Sequence, residues 1–234
     1  MIDYWLALGR GPIFRFAVLL MLLGLIRHAV LTWVGIARMA AQTEDRKIPY
    51  RAVLKATLLW LFPFGKLGNR LWYSVTSVAF HAGLILTPIF LAAHILLWKK
   101  GVGISWPALS RNMAEGLTIL TILTGIALVI GRIANQQSRA LSRFQDFFLP
   151  ILLIVPFVTG LLASRPTLNP LSYEAVMLIH VMSGNVILAV IPFTKLSHAI
   201  LLPTSQLVSE MAWHFRADSG VNVALALRKE VTQV

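Results

Sequence analysis

Residues 73–98 read YSVTSVAFHAGLILTPIFLAAHILLW. The stretch has no Asp, Glu, Lys or Arg, and as one helix it is long enough to cross a bilayer core, which takes about 17–25 apolar residues. That length sets it apart from a strand or a short helix of a soluble core. It nevertheless carries two histidines, His81 and His94, with Pro88 between them. An ionisable side chain inside a span is costly, and so it marks function by default.

Four further blocks have the same character: 16–37, 114–133, 146–164 and 173–202. The chain is 57% hydrophobic and only 13% charged, whereas a soluble domain carries roughly a quarter charged residues. So few charges cannot coat a water-soluble globule of 234 residues. The fold class expected is all-α, an integral membrane bundle of five transmembrane helices, multi-pass in a bacterial or archaeal inner membrane. Residues 1–203 form the membrane domain and 204–234 a cytoplasmic tail. Arg10 and Arg15 precede the first block as the n-region of a signal peptide would. The apolar run then continues through Trp33 and Ile36 with no small-residue cleavage site, which favours a retained helix.

The formal charge of +12 invites a nucleic-acid reading. No basic stretch forms a soluble domain that could hold nucleic acid, and the positive-inside rule and anionic lipid account for the excess. Counted by connection, thirteen lysines and arginines fall on one side of the membrane and six on the other. The richer side includes Arg38, Arg46, Lys47, Arg51, Lys55, Lys66 and Arg70 between the first two spans, and Arg216, Arg228 and Lys229 in the tail. This bias puts the N-terminus outside and the C-terminus in the cytoplasm. Between spans one and two, residues 48–64 start basic and turn apolar (Val53, Leu54, Leu58, Leu59, Trp60). They read as an amphipathic helix on the cytoplasmic surface, ended by Pro63 and Gly65.

The absence of cysteine excludes disulfides, thiolate zinc sites and iron–sulfur clusters ligated by this chain. Metal chemistry must rest on six histidines. Five lie in spans (His28, His81, His94, His180, His198), and His214 lies in the tail. His180 and His198, 18 residues apart, would share one face of a continuous helix, roughly 27 Å apart along its axis. His81 and His94, 13 residues apart, lie roughly 20 Å apart, one near each membrane face. Packed side by side, the second and fifth spans run antiparallel. His81 then meets His198 near the cytoplasm and His94 meets His180 near the outside. Two imidazoles on facing helices can take both axial positions of a haem iron, and two pairs make an electron path across the bilayer. Thirteen residues of ideal helix rotate about 220°, so Pro88 must kink or unwind the second span for this pairing; Pro192 would do the same in the fifth. Gly83, Gly184, Ala92 and Ala93 would let a flat macrocycle approach the backbone. His28 follows Arg27 and reads as a packing or propionate-contacting residue. The competing reading is a haem-free transporter or scaffold subunit whose histidines relay protons or only pack.

FHAGLILTPIFLAAHILLW in the second span and IHVMSGNVILAVIPFTKLSHAILLP in the fifth resemble the gamma subunit of respiratory nitrate reductase, a five-helix dihaem cytochrome b. They resemble still more the cytochrome b subunits of the transmembrane redox complexes of sulfate-reducing bacteria. PFTKLSH is the most specific part, and the resemblance covers roughly residues 73–213. The His180–His198 spacing follows the nitrate reductase pattern, while the wider His81–His94 spacing follows the sulfate-reducer branch and argues against nitrate as acceptor. The resemblance implies His81, His94, His180 and His198 as axial ligands of two b haems. It also implies a menaquinone or ubiquinone site beside the outer haem, with Lys99, Lys100 or Arg111 as polar contacts. Lys195 and Ser197 would approach a propionate of the inner haem. The partners implied are a cytoplasmic iron–sulfur subunit, other subunits of a respiratory complex, a periplasmic multihaem cytochrome c and membrane lipid. On this reading the chain is the quinone-reacting, electron-transfer subunit of an oxidoreductase complex, not an enzyme by itself.

Overall fold

In the computed structural model of the chain, which describes residues 1–41, 49–61, 71–212 and 225, every regular element is helical. The elements are α1 Ile2–Arg10, α2 Pro12–Ala41, α3 Tyr50–Leu61, α4 Leu71–Phe90, α5 Ala92–Val102, α6 Arg111–Ala134, α7 Gln136–Ala140, α8 Phe144–Ser164, α9 Tyr173–Val190 and α10 His198–Ala212. Five helical stretches are long and apolar enough to cross a membrane: Ile2–Arg38, Leu71–Phe90, Arg111–Ala134, Phe144–Ser164 and Tyr173–Phe193. The five expected spans are therefore present.

Side-chain placement suits lipid. Leu19, Leu22, Leu23, Ile26 and Leu31 of α2 and Leu123, Ile126 and Ile130 of α6 are exposed, while Thr87, Thr121 and Thr159 are buried. A bilayer removes the drive to hide leucine, and small residues then let helices approach. The Thr121 hydroxyl donates to Leu117 O and the Thr159 hydroxyl to Val155 O, each one turn back. Neither of these two hydroxyl hydrogens is thereby left facing hydrocarbon.

The chain forms two compact units. The first comprises Met1–Met21 and Leu67–Thr194. In it α6 packs between α4 and α8, α8 packs on α9, and α9 packs on α1. The backbone of Gly83 on α4 lies against Leu117 and Thr121 of α6, leaving no room for a β-carbon. Gly125 does the same for Phe80 of α4 and Ile154 of α8. The antiparallel α6–α8 pair is tied at both ends, by Arg132 to Asp146 at 3.7 Å and by Arg165 to Glu115.

Two expected spans are not continuous helices. The second divides at Leu91, whose ψ of 127° is extended. Pro88 sits inside α4, and the break falls three residues later. A helix end leaves its last carbonyls without helical partners, and here those after the final helical bond find other donors. Leu91 N–H makes the last helical bond, to Thr87 O; beyond it Pro88 O accepts from His94 Nδ1, Ile89 O from Trp106 Nε1 and Phe90 O from Leu109 N–H. The fifth span ends as an α-helix at Val190 and passes through two 3-10 turns, Ile191–Phe193 and Lys195–Ser197. His180 and His198 therefore do not share a helix face. Pro192, which cannot donate into a helical ladder, stands in the first of these turns.

The second unit comprises Leu22–Lys66 and Lys195–Val234. There α3 packs on α10, and Ile36, Val53 and Met211 form a small core with Leu207 and Val208. α3 lies within the expected helix 48–64. The expected domain boundary at 203/204 falls inside α10, a helix that carries Pro203 without ending. Arg46, Lys47, Lys66 and Arg70, the ends of the 48–64 helix, and His214, Arg216, Arg228 and Lys229 lie outside the described residues.

Candidate functional site

α5 starts afresh after Leu91, and its third residue is His94. The new helix aims His94 at His180 of α9: the ring centres are 6.0 Å apart and the planes differ by 26°. Both rings are half-buried. Two metal–imidazole bonds of about 2 Å, plus about 1 Å from each nitrogen to its ring centre, would set two axial imidazoles about 6 Å apart. The observed separation fits the two ligands of one haem iron.

The tautomers fit as well. His94 Nδ1 is 3.0 Å from Pro88 O, and His180 Nδ1 is 2.8 Å from Pro156 O. A carbonyl only accepts, so Nδ1–H donates in each ring, and the neutral imidazole keeps its lone pair on Nε2. Metal-bound histidines are held in this way by their second nitrogen. The other two candidate ligands share the pattern, His81 Nδ1 lying 2.7 Å from Ser77 O and His198 Nδ1 2.7 Å from Lys195 O. His81 belongs to the first unit and His198 to the second, so the His94–His180 pair is the one brought together within a unit.

The His180 ring reaches Pro156 O because of a gap in α8. Gly160 stands one turn beyond that carbonyl, and a β-carbon there would lie 3.1 Å from His180 Cε1. The Thr159 hydroxyl flanks the same nitrogen at 3.4 Å. This cradle of Pro156, Thr159 and Gly160 is legible as PFVTG at 156–160, a carbonyl left uncovered by a glycine four residues on, but only a partner helix gives it meaning. Of the small residues expected to admit a macrocycle, Gly83 is occupied by Thr121, whereas a β-carbon on Gly184 would meet nothing within 4 Å. The close approach at Gly83 is thus a helix–helix contact.

Among the described residues no cluster of three His, Cys, Asp or Glu could cage a metal ion. A haem iron asks the chain for two ligands, since the macrocycle supplies the rest, and the donor set here is of that kind. Lys99 and Lys100 are exposed in the last turn of α5, and Arg111 is exposed at the first residue of α6. Lys195 is exposed and Ser197 buried, both just before His198. His28 is half-buried in α2. An apolar groove of about 350 Å³ between α6 and α8, lined by Ile126, Val129, Ile130, Ile154 and Val158, reaches Thr159 beside His180.

These helices and their lipid-suited exteriors define a multi-pass α-helical membrane protein. Over 156 residues the chain is 36% identical to a protein of Nitratidesulfovibrio vulgaris strain Hildenborough, a match spanning 66% of this chain and 68% of that relative. The chain belongs to the same family as that protein. No family model matches the sequence, and no solved structure matches it.

Proposed function

We propose that the protein is the membrane cytochrome b subunit of a respiratory oxidoreductase complex, passing electrons between a quinone pool and an iron–sulfur partner through two bis-histidine b haems. The His94–His180 pair carries this reading: two imidazoles with ring centres 6.0 Å apart, each with Nδ1 against a backbone carbonyl. A transporter needs neither that spacing nor that shared tautomer.

When bound, haem supplies one-electron redox chemistry, and the protein contributes binding, orientation and electrostatics. Pro88 O and Pro156 O keep the proton on Nδ1 and so present Nε2 to the iron. Gly160 leaves the His180 ring its space. As the ligands implied by the sequence resemblance, His81 and His198 would hold the second haem, with Lys195 and Ser197 as contacts for its propionates. Lys99, Lys100 and Arg111 face the outer water layer, where they bind the polar head of a menaquinol or ubiquinol, and the α6–α8 groove suits its apolar tail. With the N-terminus outside, α3 and α10 lie at the cytoplasmic surface. There they meet lipid and the iron–sulfur subunit, whose clusters this cysteine-free chain cannot ligate. A periplasmic multihaem cytochrome c would dock on the opposite side.

The test is a dithionite-reduced minus oxidised visible spectrum with a pyridine haemochrome count. Two b haems per chain are expected, falling to one in His94→Ala and in His180→Ala. Protein purified without haem from haem-replete cells would leave the transporter or scaffold reading in its place.

A further inference from the structure

α1 was not anticipated as a separate helix. It is joined to α2 through Gly11, at φ −112° and ψ −103°, and packs on α9 beside the His94–His180 pair. Contact is close at Gly9, where a β-carbon would lie 2.7 Å from Val181 Cγ1 and 3.5 Å from Met182 Sδ. Val181 is the residue after His180. Buried Asn185 then fastens the helix, donating from Nδ2 to Gly9 O at 2.8 Å. That bond joins residues far apart in sequence inside an apolar bundle, where an unmade polar contact is expensive.

Arg10 follows Gly9 directly. It is exposed. Among the described residues the ion pairs formed are Arg132–Asp146 and Arg165–Glu115, so no carboxylate of these residues neutralises Arg10. A guanidinium carried by the helix that packs on α9 beside His180 suits an anion, and its planar fork matches a carboxylate.

We propose that Arg10 is the positioning residue that pairs with a carboxylate substituent of the macrocycle held by His94 and His180, with Asn185 and Gly9 fixing α1 so that the guanidinium reaches it. The inference rests on the dihaem reading above. Removing the positive charge makes the ferric state of that haem easier to reach, so its midpoint potential falls, while the haem of His81 and His198 keeps its own.

Redox titration of the purified full chain, read at the b-haem bands, tests this with Arg10→Gln and Arg10→Lys. A wild-type chain without haem would remove the underlying reading and is distinguished before any variant is made. Given two haems in the wild type, the expected result is a lowered potential for one haem in Arg10→Gln and a value near wild type in Arg10→Lys. Loss of one haem in Arg10→Gln with retention in Arg10→Lys supports the pairing equally. Potentials unchanged in Arg10→Gln overturn it. Equal shifts or equal haem loss in both variants also overturn it, because charge would then not be what matters.

Discussion

A β-carbon on residue 160 would stand 3.1 Å from His180 Cε1 and 3.3 Å from its Nδ1. Alanine there asks the ring to move by a fraction of an ångström, whereas valine fills the space that the ring needs to reach Pro156 O. Overpacking of this kind costs about 1–3 kcal/mol in a well-packed site. On the proposed dihaem reading, Gly160→Val is therefore expected to lower the haem count from two to one, with Gly160→Ala retaining both. A full haem complement in Gly160→Val would show that the α8 cradle does not hold His180. At this scale the sequence points to candidate ligands by type and position, since histidines in a span stand out against their surroundings. It does not show their supports. The carbonyls of Ser77, Pro88, Pro156 and Lys195 are backbone atoms that every residue possesses, and only the fold selects them.

Among the elements, the contact between α4 and α6 depends on Gly83 having no side chain. The Thr121 hydroxyl, which donates to Leu117 O, occupies the place a β-carbon would take. Gly83→Ala is expected to destabilise the protein in detergent by about 1–3 kcal/mol, and Thr121→Ala is expected to relieve part of that cost in the double variant. Thermal unfolding of the four proteins measures the coupling, and strictly additive effects would mean that the helices separate instead of clashing. The helix breaks belong to this scale too. A proline between two histidines signals that a helix is interrupted somewhere, but the break falls at Leu91, where Trp106 and Leu109 cap the freed carbonyls from the following loop. In the fifth span the interruption covers residues 191–197, which separates His180 from the helix that His198 begins.

For the whole molecule, the excess of lysine and arginine predicts an outside N-terminus. The absence of cysteine makes the check clean, because a single introduced thiol reacts against no background. Gln137→Cys, exposed between the third and fourth spans, is expected to react with a membrane-impermeant maleimide only in inverted vesicles. Thr167→Cys, exposed between the fourth and fifth, is expected to react from the outside of intact cells. The reverse pattern would invert the orientation. Membrane insertion, the number of spans and the residue types available for chemistry are all present in the sequence, because bilayer thickness and the cost of burying charge act on each segment separately. The pairing of His94 with His180, the cradle at Gly160 and the docking of α1 on α9 were decided only by tertiary structure. Each depends on a backbone break or a missing β-carbon meeting a partner far away in the chain, and no local pattern records that meeting.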